Sequence, residues 1–359
     1  MRRRLLSLHR WLGLCSGILL LLVGLSGSAL VYRKSLERWL SPALYTLAQT
    51  GPRLSLDSLY DIVYTRSGGN FTSCSFDMPS TQEEVIEFTL SFPARNHHSG
   101  SRYIVDLDPY TGRVLREGYC NDPSISLTHW LMYFHDSFHF GQVGLLVVAV
   151  AAMIMFLSII TGLFIHGKNI INVLTFRIPL MRQRGTHLYR AIHFYVGVWT
   201  LLFTIPVFFT GFWMVRSALS PSGWKLDEPR KAIHITASLD SCLMTSGKLL
   251  SGFIPDYVSI PARESDPIRI DGNMAGSSKM IFGDASFASF HAMTGNAVGT
   301  LDIRTIPFPE NLVATFWPLH AGNYGGNGIR MVYVVGGLMP GVLAISGFIL
   351  WWKRRTVAD

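Results

Sequence analysis

The chain has 359 residues, of which 49% are hydrophobic and only 15% are charged, about ten percentage points fewer charges than in a typical soluble protein. The mean hydropathy is +0.29 and the formal net charge is +8. These values argue against an ordinary water-soluble enzyme and favour a membrane protein.

Four apolar stretches without Asp, Glu, Lys or Arg follow one another along the chain. Each is as long as a membrane-crossing helix, which needs about 20 residues. They are Trp11–Val31, Val143–Ile165, Ala191–Val215 and Met331–Trp352. The sequence therefore predicts an α-helical membrane protein with transmembrane helices over 8–32, 126–166, 188–216 and 319–353. Long outer segments over 33–125 and 217–318 and a short connection over 167–187 join these helices.

The distribution of charge predicts the orientation. The short segments at both ends and between spans 2 and 3 contain 12 basic residues and one acidic residue. The long segments, 33–130 and 217–328, contain 17 basic and 21 acidic residues. The positive-inside rule therefore places both termini and the short connection in the cytoplasm, and the long segments outside. The positive charge is thus a topology signal, and no nucleic-acid partner is expected.

An internal repeat organises the chain. One nearly constant shift along the sequence superimposes histidines and glycines of spans 1 and 2 on those of spans 3 and 4. The matched pairs are His9 and His193, Gly13 and Gly197, Gly27 and Gly211, His135 and His320, Gly141 and Gly326, and Gly162 and Gly347. The pattern predicts two tandem copies of a unit made of helix, outer module and helix.

Each outer segment has the pattern of a small α+β module. The stretches Val85–Leu90 and Tyr103–Leu107 alternate apolar and polar residues, as strands with one buried face do. Thr-Gly pairs ending at Gly112 and Gly295 indicate tight turns. Disulfides persist outside the cytoplasm, and Cys74 with Cys120 is the favoured bridge, with unpaired thiols an equal alternative.

Four of the twelve histidines are placed as two repeated pairs. His9 and His193 lie at the predicted cytoplasmic ends of spans 1 and 3, whereas His135 and His320 precede spans 2 and 4 on the outer side. Ionisable groups at membrane depth are usually functional, although a single histidine can also serve as a hydrogen bond between helices. The repetition of both pairs favours ligand binding.

Two imidazoles at each face suit a haem better than a zinc ion. A zinc site gathers three or four ligands, whereas a six-coordinate haem takes two axial ligands and supplies the other four nitrogens. Two non-covalent b-type haems per chain are therefore predicted, since no Cys-x-x-Cys-His motif occurs. The alternative ligands are His139, one helical turn from His135, and His166 at the end of span 2.

Small and basic residues close to these histidines complete the predicted haem sites. Gly13 and Gly197 each follow a histidine by four residues, which places them on the same helix face and removes side-chain bulk there. Gly141 is placed similarly beyond His135 and His139. Arg10 and Arg190 are expected either to neutralise haem propionates or only to anchor the topology.

Several motifs resemble those of PepSY-associated transmembrane proteins. These are LHRWLGL from Leu8, the Asp-Pro-Tyr-Thr-Gly turn ending at Gly112, Leu319-His320-Ala-Gly, and a closing Trp-Trp-Lys-Arg-Arg. In length and layout the chain is most similar to the FoxB-type ferric-siderophore reductases of Gram-negative inner membranes. The resemblance covers essentially the whole chain. The sequence departs from the family pattern at His291, in place of the usual acidic residue of the second turn, and at His166, in place of an aromatic residue.

The resemblance implies a function in iron uptake. It implies a four-helix bundle with two b haems held by His9, His193, His135 and His320, and two PepSY-like periplasmic modules. Such an oxidoreductase transfers electrons from the cytoplasmic side or the quinol pool to a periplasmic ferric siderophore, expected to be a hydroxamate, and releases Fe(II). The chain has no nucleotide fingerprint, so the donor is expected to be a quinol or a partner protein.

Trp317, Tyr324 and Gly325 are predicted to line a cleft for the bulky chelate, although an interfacial aromatic belt explains the aromatic residues equally well. Two other functions stay open. One is a PepSY-type accessory protein that regulates a partner without redox activity. The other is a transporter, which is the least favoured because the sequence shows no pair of broken helices.

Overall fold

The computed structural model describes residues 2–49, 51–92, 101–177, 185–225, 232–278 and 285–355. They form two compact units. The helical unit comprises Met1–Tyr32, Phe134–Trp224 and Leu319–Asp359, and the sheet unit comprises Arg33–Tyr133 and Lys225–Pro318. Residues 178–184, which belong to the predicted cytoplasmic connection, lie outside the described residues.

Eleven α-helices occur within these described ranges. In chain order they are α1 Arg2–Leu30, α2 Arg33–Leu40, α3 Leu56–Ser67, α4 Leu127–Ser137, α5 Gly141–His166, α6 Ile170–Leu174, α7 Thr186–Trp199, α8 Leu201–Val215, α9 Leu239–Leu249, α10 Phe316–Ala321 and α11 Gly326–Arg355.

Four helical stretches are long and apolar enough to cross a membrane, as judged over the residues that the structure describes. They are Arg2–Leu30, Gly141–His166, Leu201–Leu219 and Gly326–Lys353. The prediction of four membrane helices is therefore confirmed. Within the helical unit, α1 packs against α5 and α11, α11 packs against α7 and α8, and α5 packs against α8, so the four spans form a closed bundle.

The third predicted span is not one continuous helix. Helix α7 ends at Trp199 and α8 begins at Leu201, and the Thr200 carbonyl oxygen between them accepts bonds from both Phe203 and Thr204 in a tightened turn. Pro206, which has no backbone N–H to donate, lies inside α8. This break affects one span and is not the pair of broken helices expected of a transporter.

Spans 2 and 4 are each preceded by a separate helix that carries a predicted histidine. Helix α4 with His135 ends at Ser137, and the chain turns through His139 with a φ of 64° and Gly141 with a φ of 53°. Helix α10 with His320 likewise ends before α11 begins. His135 and His139 therefore do not share a helix, contrary to the prediction that they lie one helical turn apart.

Eight strands occur in the described part of the sheet unit. They are β1 Ser73–Asp77, β2 Ile86–Phe92, β3 Ser101–Leu107, β4 Val114–Tyr119, β5 Phe253–Pro261, β6 Ile268–Met274, β7 Ser286–Phe290 and β8 Ala297–Leu301. The alternation predicted near Val85–Leu90 appears in β2, where Ile86, Phe88 and Leu90 are buried.

The two outer segments share one antiparallel sheet. Its strand order is β4-β3-β2-β1-β5-β6-β7-β8, so each segment contributes four consecutive strands. The segments join at β1 and β5, where Cys74 pairs with Ile260 and Phe76 with Val258. In this pairing, one edge strand of each four-stranded half of the sheet bonds to the other half. An unpaired edge strand exposes backbone groups that can associate with other chains. The sequence did not predict that the two modules form a continuous sheet.

Helices α3 and α9 cap each other in the sheet unit. The Asp57 carboxylate accepts a bond from the Leu239 N–H at 2.5 Å and from the Ser238 hydroxyl at 2.6 Å. The Asp240 carboxylate accepts a bond from the Asp57 N–H at 3.2 Å. Each carboxylate thus serves a helix N-terminus, where backbone N–H groups have no intrahelical partner.

The tight turns of the two segments use different residues for the same bond. Asp108 Oδ1 accepts a bond from the Tyr110 N–H at 2.9 Å, and His291 Nδ1 accepts one from the Met293 N–H at 3.2 Å. Both turns close with a glycine at positive φ, Gly112 or Gly295. The departure at His291 therefore preserves the turn.

The favoured disulfide is not formed. Cys74 and Cys120 are both buried free thiols. Cys74 lies on β1 and Cys120 directly follows β4, three strand positions away in the sheet. At about 4.8 Å per strand the separation is roughly 14 Å, whereas a disulfide needs Cα atoms within about 7 Å.

Candidate functional site

The structure brings the four paired histidines together as two ring pairs inside the helical unit. The ring centres of His9 and His193 are 6.2 Å apart, with an interplanar angle of 85°. Those of His135 and His320 are 6.1 Å apart, with an interplanar angle of 50°. The residues that the sequence groups by offset are thus neighbours in space.

In the first pair, Nδ1 of each ring is held by the neighbouring span. His9 Nδ1 lies 3.0 Å from the Ser158 carbonyl oxygen and 3.1 Å from Thr161 Oγ1, both on α5. His193 Nδ1 lies 2.9 Å from Ser346 Oγ on α11.

The second pair is held in the same way. His135 Nδ1 lies 3.0 Å from the Val23 carbonyl oxygen on α1, and His320 Nδ1 lies 3.0 Å from the Val207 carbonyl oxygen on α8. Hydroxyl oxygens add longer contacts to both rings. They belong to Ser26, at 3.2 Å, and Thr210, at 3.3 Å.

These contacts leave the same atom of each ring for a ligand. A carbonyl oxygen can only accept, so Nδ1 of His9, His135 and His320 carries the proton and Nε2 keeps its lone pair. Histidines that bind metals almost always hold their second nitrogen in this manner. Three pairs of anchoring positions also repeat at the offset of the histidines: Thr161 and Ser346, Val23 and Val207, and Ser26 and Thr210.

The spacing of the rings suits one metal ion between each pair. A metal–imidazole bond is about 2.0 Å long and the nitrogen lies about 1.2 Å from the ring centre, so two rings on opposite sides of one ion have centres roughly 6.4 Å apart. The measured separations of 6.2 and 6.1 Å are close to this value. No group of three or more His, Cys, Asp or Glu side chains suited to a metal ion occurs among the described residues.

Glycines make room for the rings. A Cβ atom on Gly27 would lie 2.8 Å from Cε1 of His135, and one on Gly211 would lie 2.8 Å from Cε1 of His320. The sequence did not predict this role. It could have been inferred from the recurrence of Gly27 and Gly211 at the offset of the histidines.

The predicted haem-packing glycines differ among themselves. A Cβ atom on Gly13 would meet nothing within 4 Å, and one on Gly197 would make only an ordinary contact with Leu343 at 3.7 Å. Gly141 has a φ of 53° and begins α5, so its observed role is in the turn before that helix.

The two alternative histidines occupy different surroundings. The ring of His139 lies 6.1 Å from that of Phe134, and the ring of His166 lies 4.8 Å from that of Phe194. Arg10 and Arg190 are exposed.

The predicted cleft residues are distributed over both units. Trp317 belongs to the sheet unit, whereas Tyr324 and Gly325 belong to the helical unit. The Tyr324 hydroxyl lies 3.3 Å from that of Tyr333. The cleft stays a prediction.

A buried ionic cluster in the sheet unit was missed by the sequence reasoning. Arg116 on β4 contacts Glu37 on α2, Asp106 on β3 at 2.5 Å and Glu87 on β2 at 3.3 Å. His129 on α4 lies 3.1 Å from Glu87. Only the fold brings these distant positions together.

The cluster shifts the acidity of its carboxyl groups in opposite directions. Burial raises the pKa of Asp106 to about 7, and the charge of Glu87 adds to this effect. Burial acts in the same sense on Glu87, but His129, Arg33 and Arg116 outweigh it and lower the pKa of that carboxyl to about 2.

Comparison with known proteins gives one family. The model of the PepSY-associated TM region matches residues 6–354, which is nearly the whole chain. No curated protein matches the chain.

Proposed function

Since this chain belongs to the family of the PepSY-associated TM region, we propose that it is a membrane reductase that holds two b-type haems and reduces a ferric siderophore. The observation that carries the proposal is the presence of two imidazole pairs. In each pair Nδ1 of both rings is anchored, and the ring centres are 6.2 Å apart in one pair and 6.1 Å apart in the other. His9 with His193 and His135 with His320 are the proposed axial ligands.

The helix bundle supplies what such a site requires. A haem iron held by two imidazoles changes reversibly between Fe(III) and Fe(II), so it accepts and donates single electrons. The carbonyl and hydroxyl groups on neighbouring spans fix the ring orientation and the tautomer, and they increase the basicity of Nε2.

Helix α1 sets the distance between the two proposed sites. His9 lies on this helix, and Val23, fourteen positions later, accepts the bond from His135. At about 1.5 Å per residue the two levels are roughly 21 Å apart along the helix axis. Two sites at this separation divide a hydrocarbon layer of about 30 Å into shorter electron-transfer distances.

The proposed direction follows from the charge distribution. Basic residues flank the ends of the chain, so we propose cytoplasmic termini in a bacterial inner membrane and a periplasmic sheet unit. Siderophores bind Fe(III) far more tightly than Fe(II), so transfer of one electron to the ferric siderophore releases Fe(II) on that side. The His135–His320 pair is the proposed exit site for the electron.

The first test measures haem and its ligands. Purified protein from haem-replete cells should contain two acid-extractable haems per chain by pyridine haemochrome analysis. His320→Ala should remove about half of the haem, because the site loses one of two axial ligands. His139→Ala and His166→Ala serve as matched histidine controls and should retain both haems. A haem-free wild type, or full haem content in His320→Ala with loss in a control, contradicts the assignment.

The second test measures the reaction. Dithionite-reduced protein, freed of excess reductant, should be reoxidised by a ferric hydroxamate, and a ferrous chelator should trap the Fe(II). His320→Ala should slow this reoxidation, while His9→Ala should mainly impair reduction from the cytoplasmic side. Haems that stay reduced with excess ferric hydroxamate would indicate a different acceptor.

A further inference from the structure

Tyr333, on α11, bonds to the short helix that carries His320. Its hydroxyl donates a hydrogen bond to the carbonyl oxygen of Leu319, the residue before His320 in α10. The last carbonyl groups of a helix have no partner within the helix, so this bond satisfies one that the end of α10 leaves open. Tyr333 is buried, with 7% of its surface exposed. Burial of a hydroxyl is costly unless it is bonded, which favours a persistent contact with α10.

The same side chain also contacts α8, the helix that anchors the His320 ring. The rings of Tyr333 and Phe203 have centres 5.0 Å apart and an interplanar angle of 80°. Phe203 lies four positions before Val207, so the two residues lie on one face of α8. The Val207 carbonyl oxygen is 3.0 Å from Nδ1 of His320. Tyr333 therefore contacts both the helix that carries the imidazole and the helix that carries its acceptor.

A glycine lets the Tyr333 ring approach the backbone that follows His320. A Cβ atom on Gly322 would lie 2.7 Å from Cγ of Tyr333 and 2.9 Å from Cδ2, closer than a side-chain carbon can come. Gly322 also has a φ of 70°, a conformation that favours glycine. The ring thus packs on the backbone after His320, while the hydroxyl bonds the residue before it.

The first half of the chain bonds the matching carbonyl oxygen by different means. At the offset of the outer histidines, Leu319 is matched by Phe134, whose carbonyl oxygen accepts a bond from the Phe138 N–H at 3.0 Å. The position that matches Tyr333 is Val148, whose side chain has no hydrogen-bond donor. One half therefore fixes the carbonyl group before its outer histidine through the backbone, and the other half uses a phenol. The recurrence of this bond indicates that it serves the histidine that follows.

We propose that Tyr333 is a positioning residue that holds the imidazole of His320 in the orientation needed to bind a metal. The inference rests on the proposed function, in which that metal is the iron of the outer haem. Tyr333 acts through the Leu319 carbonyl group and through its contact with Phe203. Without the hydroxyl, the carbonyl group loses its donor and α10 can move relative to Val207. The bond at Nδ1 then weakens, and Nε2 becomes a weaker donor to iron.

The first test measures His320 directly and works with or without bound haem. Diethyl pyrocarbonate is a small neutral reagent that attacks an unprotonated imidazole nitrogen, and mass spectrometry measures its reaction with His320 relative to the exposed His187. Tyr333→Phe removes only the hydroxyl and should accelerate modification of His320 several-fold. Tyr32→Phe is the control, because it also removes a hydroxyl but retains the ring beneath Arg330, and it should match the wild type. Equal rates in Tyr333→Phe and the wild type would overturn the proposal.

The second test measures the redox potentials of the haems. A less basic Nε2 stabilises Fe(III) less, so the potential of one haem should rise in Tyr333→Phe. The haem held by His9 and His193 should keep its wild-type potential, because neither ligand depends on the contact with Leu319. A role confined to the stability of the bundle would lower the melting temperature and leave both potentials unchanged. That result would overturn the positioning role.

The outcomes distinguish this proposal from the proposed function. Two haems with unchanged potentials, together with an unchanged rate of His320 modification in Tyr333→Phe, would overturn the positioning role and leave the reductase intact. A haem-free protein in which Tyr333→Phe still accelerates modification of His320 would retain the positioning role and contradict the reductase.

Discussion

At the residue scale, the decisive feature is the way each imidazole is held. The sequence predicted all four histidines and their pairing, because one nearly constant offset along the chain relates them directly. The anchoring groups could not be predicted in the same way, since three of the four Nδ1 atoms contact a backbone carbonyl oxygen, which has no side-chain signature. The haem ligation itself stays a prediction.

The glycines beside the rings predict a loss of haem that increases as an added methyl group comes closer to the histidine ring. Gly27→Ala places a methyl group 2.8 Å from Cε1 of His135, so the ring must move and weaken its bond to Val23. We expect this variant to lose about half of the bound haem. Gly162→Ala approaches His9 at 3.4 Å and should retain most of it. Haem per chain in purified protein is the measurement.

The control for this series is Gly328→Ala, since a Cβ atom there meets nothing within 4 Å. It should bind as much haem as the wild type. Equal haem content in the Gly27 and Gly328 variants would show that the position of the His135 ring does not matter for binding.

At the element scale, the ionic cluster joins connecting helices to the sheet. Arg116 on β4 contacts Glu37 on α2, and Thr128 at the start of α4 donates to the same carboxylate. Sequence periodicity gives no sign of such a cluster, because its members lie on five elements. The turn that separates His135 from His139 was also missed, because it has no marked signal in the sequence before Gly141.

Replacement of the central arginine of the cluster should lower the stability of the folded protein. Arg116→Met leaves buried carboxylates without their partner, which typically costs about 3–5 kcal/mol and lowers the melting temperature by about 10 °C in a protein of this size. Arg66→Met is the control, because the Arg66–Glu117 pair is largely exposed and solvent screens its attraction, so its loss should leave the melting temperature nearly unchanged. Thermal unfolding of both variants in the same detergent measures the difference, and equal shifts would contradict the structural role of the cluster.

At the scale of the whole molecule, the composition and the length of the apolar stretches were sufficient to predict the number of membrane helices. Uninterrupted apolar stretches of membrane-crossing length are unambiguous, because a span must satisfy its backbone bonds internally. The joining of β1 to β5 could not be predicted, since the pairing of two strands from opposite halves of the chain leaves no local pattern. The break at Thr200 was also missed, although Pro206 was visible in the sequence.

The orientation of the chain can be tested directly. Alkaline phosphatase fused after Thr46, which follows α1 and α2, should be active, because the enzyme folds only outside the cytoplasm. The same reporter fused after Asp359 should be inactive, because the basic residues after span 4 are expected to keep that end in the cytoplasm. A fluorescent protein that matures only in the cytoplasm should give the opposite pattern at both sites. Active phosphatase at the C-terminus would reverse the proposed direction of electron transfer.

The pairing of β1 with β5 has a consequence for synthesis of the protein. Strand β1 ends at Asp77 and strand β5 begins only at Phe253, so nearly half of the chain is made between them. At a translation rate of about 5–20 residues per second, β1 waits roughly 10–35 s for its neighbour, while two further spans are inserted. During that time the first four strands present an unpaired edge of the kind that associates with other chains. The nascent protein is therefore most vulnerable to aggregation after its first half has emerged, and a chaperone that covers strand edges would act in that interval.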